Sequence, residues 1–501
     1  MGKEAKLQEF KTLLGEITDL TAAAALLGWD QQVNLPPGGA EARGNQLGTL
    51  GRLIHDRLIS PELGRLLDEL RPYAESLDPA SDDACMIRVI ARDYDKATRV
   101  PGEFVVEMNQ VQALAFQAWA EARQKSDFSI FRPHMEKVVE LAHRYVAFFP
   151  PADHPYDLLL DNFEPGMKTA EVKAIFEALR PKQVELIKAI AKKSQVDDSF
   201  LHQSFDTQKQ WAFGEEVITK FGYDWNRGRQ DKTLHPFTQA ISVSDVRITT
   251  RLDSNYLNTM IFGTMHEAGH ALYGQGAAPE LERIGLSDGA SLGVHESQSR
   301  MWENLIGRSL PFWEHFYPRL QETFPQLKDV PLKKFYQGIN KVQPSLIRVE
   351  ADEATYNLHI MLRLEIEIAL VEGKVAAKDL PEVWNSKMKD YLGVVPPDDA
   401  RGVLQDVHWS SSMLGYFSTY ALGNLISAQL WEKINQDIPD LPDQVRAGKF
   451  DALLGWLREK VHRHGRKFEP QKLVQMVTGS KIDPAPYLRY LNKKFGEIYG
   501  L

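Results

Sequence analysis

Cysteine is nearly missing: Cys85 is the single one in 501 residues, so an intramolecular disulfide is impossible and a reducing compartment fits. Set in Asp83-Ala84-Cys85-Met86-Ile87, that thiol is expected to pack rather than react. Long apolar runs are missing too. No stretch approaches the roughly 18 apolar residues of a membrane span, and Met1 to Leu7 carry neither the apolar segment nor the cleavage site of a secretion signal. A cytoplasmic protein without a membrane partner is the expectation. Dense basic blocks are likewise absent, and the formal net charge is −9. Nothing in the chain would neutralise a run of phosphates, which excludes nucleic acid as a partner. Repeats, low-complexity tracts and flexible linkers are also absent, so no domain boundary can be read along the chain.

What is present is apolar content of 43%, enough to bury a sizeable core. Up to about residue 220 the chain is a succession of amphipathic helical patterns, among them Leu7 to Leu27, Phe104 to Arg123 and Ala170 to Lys193. Turns such as Leu35-Pro36-Pro37-Gly38-Gly39 punctuate them. This half is expected to be scaffold, with Tyr145-Val146-Ala147-Phe148-Phe149 in its core. From about Lys232 the texture changes: Ile241 to Thr250 alternates apolar and polar residues as a half-buried strand does. Helices then resume, including a long one from about Arg348 to Glu372, with a break near Val395-Pro396-Pro397. The expected fold is mostly α with a small β-sheet. The chain is read as a single domain, with a helical scaffold over about 1–231, polar motifs over about 232–425 and a helical C-terminal part over about 426–501.

Met265-His266-Glu267-Ala268-Gly269-His270 is the most informative stretch. On a helix, positions i and i+4 share a face, so His266 and His270 can reach one metal ion while Glu267 sits at its edge. The pattern also arises by chance, so context decides. Asn255 to Phe262 leads in without proline, and Gly274 follows where a helix C-terminus would want it. A third ligand should come from a separate helical segment, and Val294-His295-Glu296-Ser297-Gln298-Ser299-Arg300-Met301-Trp302-Glu303 is the nearest candidate. Glu296 is preferred over His295 and Glu303, because a glutamate on a downstream helix completes a His, His, Glu set and leaves a position open for water.

Several polar, aromatic-rich segments stand outside the amphipathic rhythm: His235-Pro236-Phe237, Asp245-Val246-Arg247-Ile248-Thr249, Ile347-Arg348-Val349-Glu350-Ala351-Asp352 and Gly402-Val403-Leu404-Gln405-Asp406-Val407-His408-Trp409. Together with the His266 helix and His295-Glu296-Ser297-Gln298, they resemble the carboxypeptidase Taq family of metallocarboxypeptidases, motif by motif and in the family's order. The resemblance implies a large helical zinc-peptidase fold split by a deep cleft, one divalent ion held by His266, His270 and Glu296, Glu267 as general base, and a homodimer. Zinc is the first expectation for the ion, with cobalt or manganese as alternatives, because the same donor set accepts all three. Physical chemistry supplies the reaction: a divalent ion acidifies bound water, and Glu267 is placed to accept its proton and deliver it to the leaving amine.

A tetrahedral oxyanion needs further donors, and His408 and Tyr420 are nominated, with Tyr416 between them as a substrate contact. A free C-terminal carboxylate is best held by a guanidinium fork, which points to Arg348 and Arg247. Either arginine would instead be structural if paired with Asp352 or Asp245, and His235 is a further subsite candidate. His462 and His464 are read as structural, and Gly222 to Gln230 as a surface loop able to act as a lip. The resulting expectation is a carboxypeptidase of broad side-chain tolerance acting on peptides with a free C-terminus. An endo-oligopeptidase with the same site and a non-catalytic helical scaffold are the rival readings.

Overall fold

The computed structural model describes residues 2–501. Its N-terminal part contains α1 (Lys3–Val33), α2 (Ala40–Leu58), α3 (Pro61–Ala74), α4 (Asp82–Arg99), α5 (Gly102–Lys125), α6 (Phe128–Ala147), α7 (Pro155–Leu160), α8 (Thr169–Ala191) and α9 (Thr207–Phe221). A sheet follows, made of β1 (Gln230–Lys232), β2 (Thr238–Ser242) and β3 (Asp245–Thr250). The remainder holds α10 (Leu257–Gly276), α11 (Leu292–Arg300), α12 (Leu310–Thr323), α13 (Leu332–Ile339), α14 (Tyr356–Val371), α15 (Leu380–Leu392) and α16 (Ser418–Asp437), then four shorter helices ending at Tyr499. The mostly helical expectation with a small sheet holds. No helix is long and apolar enough to cross a membrane among the described residues.

The sheet has order β1-β3-β2, with β1 parallel and β2 antiparallel to β3. Val246, Ile248 and Thr250 of β3 are buried on the face towards α10, where the Thr250 and Thr264 hydroxyls meet at 2.9 Å. Apolar burial falls into two clusters. The larger runs from α5 to α20 (Ala485–Tyr499) and surrounds α10, α14 and α16; the smaller joins Phe10, Leu13 and Leu14 of α1 to α3, α4, Leu281 and Leu286. Cys85 lies in the smaller cluster and is fully buried, as expected of a packing thiol.

Three local expectations are corrected, and the structural reading of His462 holds. The long helix begins at Tyr356, not Arg348, because the Asp352 carboxylate accepts the Ala354 and Thr355 amides at 2.9 and 3.0 Å and so folds the chain into a turn just before it. Residues Tyr145, Val146, Phe148 and Phe149 are half-buried and Ala147 is exposed, since α6 ends there at the surface. The Gly222 to Gln230 loop is no free lip: Gln275 of α10 bonds the Asp224 amide and the carbonyls of Asp224 and Arg227. His462 and His464 sit in a single 3-10 turn; His462 is fully buried with Nε2 2.9 Å from Gln298 Oε1, so it is structural by packing.

Close helix contact sets the site's position. A Cβ on Gly269 of α10 would lie 2.6 Å from Ser299 Cα, and one on Gly423 of α16 would lie 2.6 Å from Glu296 Cβ. Glycine at both positions therefore lets α10 and α16 press against α11 from two sides. This brings the α11 carboxylate within reach of the α10 imidazoles.

Candidate active site

His266 Nε2 and His270 Nε2 lie 3.6 and 3.5 Å from the same Glu296 oxygen, Oε2. Donors about 2.1 Å from a tetrahedral ion are about 3.4 Å apart, so this spacing is that of a coordination edge. The three donor atoms all fall within 4.8 Å of one another. Two imidazoles and a carboxylate converging in this way fit a divalent ion with a position left open.

Each donor is held from behind. Burial alone would favour a protonated Glu296, but Arg300 and both imidazoles outweigh it and hold its pKa far below the usual carboxylate range. Arg300 donates Nε to Glu296 Oε1 at 2.7 Å, and the Ser299 hydroxyl lies 3.0 Å from Oε2. His266 Nδ1 meets Glu303 Oε2 at 2.9 Å. Past α11 the chain continues as a π-helical turn over Met301–Ile306, and Glu303 within it is also paired with Arg300 and Arg308. His270 Nδ1 faces His295 Nδ1 at 2.7 Å. The two rival third ligands of the sequence, His295 and Glu303, thus each contact the far nitrogen of an α10 histidine.

Glu267 is buried, and its Oε2 lies 2.7 Å from the Thr238 hydroxyl of β2. Burial raises its pKa against the opposing pull of His266 and Thr238. A carboxyl poised upward from its usual range is suited to taking a proton and giving it back.

A second group forms around the turn that starts at His408. His408 Nε2 is 3.4 Å from the Tyr420 hydroxyl, and the Tyr416 ring lies 5.2 Å from His408 and 5.3 Å from Tyr420. Burial pushes the His408 pKa down to about 4, so the ring is neutral near pH 7. Burial also keeps Tyr420 protonated, despite the Arg348 charge beside it. Glu367 of α14 staples this loop at two points: it accepts Trp409 Nε1 at 2.8 Å and the Gly415 amide at 2.9 Å, and the Tyr156 hydroxyl at 2.6 Å.

Arg348 is buried beside this group, its guanidinium 4.9 Å over the Tyr420 ring. It is paired with Asp406 at 2.9 Å, not with Asp352, and it donates Nη1 to the Tyr356 hydroxyl at 2.9 Å. Tyr356 also lies under Arg300, 4.5 Å from ring to guanidinium, and so bridges the two groups. Arg247 stands apart: it is bidentate to Asp245 at 2.8 and 2.7 Å and stacks 4.6 Å over Trp29 of α1. His235 is exposed between β1 and β2. Thr238, Tyr356 and Glu367 escaped the sequence reading. Glu367 had a legible signal, as one of two acids, with Glu365, in the otherwise apolar run Leu364 to Leu370.

Next to the metal-site helices lies a cavity of about 1200 Å³. It is walled by α4, the start of α5 and the segments around Asp161, Asp288 and Phe468, and His295 lines it.

Residues 9–495 match the family described as carboxypeptidase Taq (M32) metallopeptidase. The chain is 42% identical to thermostable carboxypeptidase 1 of Thermus thermophilus, with the whole of both chains covered. It is 39% identical to carboxypeptidase 1 of Bacillus subtilis over 98% of each. Its structure is similar to the crystal structure of an M32 carboxypeptidase from Deinococcus radiodurans, with TM-score 0.97, 40% identity, and 99% of this chain and 100% of that one covered.

Proposed function

The chain belongs to the carboxypeptidase Taq (M32) family of metallopeptidases, and from that premise we propose that it removes C-terminal residues from peptides with broad side-chain tolerance. The observation that carries this reading is the convergence of His266, His270 and Glu296 on one point, with the buried carboxylate of Glu267 adjoining. His266, His270 and Glu296 would hold the ion, zinc in the first place and cobalt or manganese as alternatives. When bound, it supplies Lewis acidity and acidifies water.

The chain's own residues do the rest. Glu267, its pKa lifted by burial, accepts the proton of the attacking water and returns it to the leaving amine. Thr238 holds that carboxylate in place through its 2.7 Å contact. His408 as a neutral ring and Tyr420 as a phenol donate to the developing oxyanion, and Tyr416 walls the same space. Arg348, backed by Asp406, supplies the positive charge that favours a terminal carboxylate. His235 and Arg247 are kept as further substrate contacts; the Arg247 fork, like that of Arg348, is backed by an aspartate, here Asp245. The enzyme is further read as a single catalytic domain, a cytoplasmic homodimer with no nucleic-acid or membrane partner.

The test is mass-spectrometric digestion of one peptide as the free acid and as its C-terminal amide. Stepwise loss from the free acid alone is expected, abolished by Glu267→Gln and by chelation. Internal cleavage of both peptides would make the enzyme an endo-oligopeptidase and remove the anchoring role of Arg348. No cleavage by metal-loaded protein would leave the scaffold reading.

A further inference from the structure

The two histidines of α10 are backed unequally. Behind His266 stands a carboxylate, Glu303, which is itself paired with Arg300 and Arg308. Behind His270 stands another imidazole: His270 Nδ1 and His295 Nδ1 are 2.7 Å apart. One hydrogen fits between two ring nitrogens at that distance, and one nitrogen must accept it. If His270 offers the Nε2 lone pair that points at Glu296, its proton is on Nδ1. His295 Nδ1 is then the acceptor, and the His295 proton is on Nε2.

From this geometry we infer that His295 is a positioning residue: it accepts the Nδ1–H of His270, fixes that ring's tautomer and orientation, and so sets how firmly the site holds a divalent ion. The inference rests on His270 being a ligand, as in the function proposed above, but it does not depend on peptide hydrolysis. The surroundings are built to keep the His295 ring still. Its Cδ2 lies 2.9 Å from where a Cβ on Gly289 would be, so only glycine leaves it room there. The Tyr273 ring lies 5.0 Å from it on another side, and that tyrosine's hydroxyl accepts the Ala290 amide at 3.1 Å. His295 also lines the large cavity, so the ring joins the metal site to that space.

An imidazole is a weaker, uncharged acceptor than a carboxylate. The two α10 ligands should therefore differ in basicity, with His270 the less strongly backed of the pair. Replacing an outer hydrogen-bond partner of a metal-binding histidine costs on the order of 10–100-fold in metal affinity. His295→Leu, which keeps volume near Nδ1 but offers no acceptor, is expected to lose affinity for zinc(II) in that range. His295→Asn places an oxygen where Nδ1 stood and is expected to recover most of it.

The measurement is competition of each variant against a chromophoric chelator for zinc(II), made in the Glu267→Gln background so that activity plays no part. Circular dichroism and the melting temperature of the metal-free proteins check folding. Equal affinity of His295→Leu and the parent, or equal loss in the leucine and asparagine variants, would overturn the assignment. Should the leucine variant not fold, nitrogen-15 NMR of selectively labelled, zinc-loaded parent protein decides. A His295 ring protonated on Nε2 supports it, and one protonated on Nδ1 sinks it. Failure on these terms leaves carboxypeptidase activity untouched, whereas failure of the digestion test leaves this metal-affinity result standing.

Discussion

The α1–α2 hairpin and the trio α10, α11 and α16 are built by opposite means. Beyond Gly15, Trp29 is the only buried residue of α1, and Arg43 is the only one of α2. By contrast α10 buries 14 of its 20 residues, Glu267 among them. The hairpin is held by a few side-chain clamps: Arg43 reaches the Leu27 carbonyl and Asp30, and Trp29 lies under Arg229 and Arg247. The trio is held by backbone-close packing. Its lesson is that the metal donors stand on helices whose backbones are packed too closely to shift, which is what a preorganised site requires, while the hairpin can change at little cost to the chemistry.

The largest expected effect comes from adding one methyl group to the trio. Gly269→Ala drives a Cβ to 2.6 Å from Ser299 Cα and 2.7 Å from the Gln298 carbonyl, and neither backbone atom can yield cheaply. A loss of about 3 kcal/mol or more is expected in denaturant unfolding, together with weakened zinc binding. A stability change below about 1 kcal/mol would show that α10 and α11 are looser than described.

Next in size is a pH effect at the edge of the trio. Glu164 is fully buried against the start of α11, where it accepts the Gly293 amide, and burial pushes its pKa up to about 8 from 4.5. The folded protein thus keeps a proton that the unfolded chain loses. Stability from this group is complete below about pH 4.5 and drains away as pH rises towards 8. Glu164→Gln should flatten that decline by roughly 2 kcal/mol or more between pH 5 and 8. Parallel unfolding curves for the two proteins across that window would contradict it.

Smaller effects belong to the hairpin. Trp29→Ala removes the ring on which Arg229 and Arg247 stack, and should loosen α1 and α2 by about 1–2 kcal/mol. Hydrogen exchange of α2 amides should quicken while those of α10 do not. Equal quickening of both would mean that the hairpin and the trio unfold as one unit. The smallest change has the opposite sign. Gly48 of α2 has open space where a Cβ would stand, so Gly48→Ala should stabilise by about 0.5–1 kcal/mol. The same substitution in two helices is thus expected to act in opposite directions.

Much of the candidate site could be read along the chain because its signals are local. His266, Glu267 and His270 share one helical turn, and Glu296 with Glu303 lies seven residues apart on the next helical segment. The start of α14 is hidden along the chain because apolar periodicity runs through Arg348 to Asp352, while the turn ahead of the helix is made by a side chain: Asp352 accepts two amides outside that rhythm. The roles of Glu303 and His295 were open for a different reason. Both were acceptable donors by type and spacing, and which nitrogen each one meets depends on how α11 lies against α10.

A mostly helical chain, a two-histidine motif with its glutamate one position on, and the motif order that marks the family are all present in the order of the residues alone. The helical pattern and the two-histidine spacing are properties of neighbours along the chain, while the motif order marks the family by resemblance. Folding in three dimensions adds that Arg348 pairs with Asp406 and Arg247 with Asp245, that Glu367 staples the His408 loop, and that an imidazole stands behind His270. Each of those is a contact between segments whose meeting is set by packing. Three helices pressed together at Gly269 and Gly423 leave one arrangement of donors within reach, and no one-dimensional pattern records that distance.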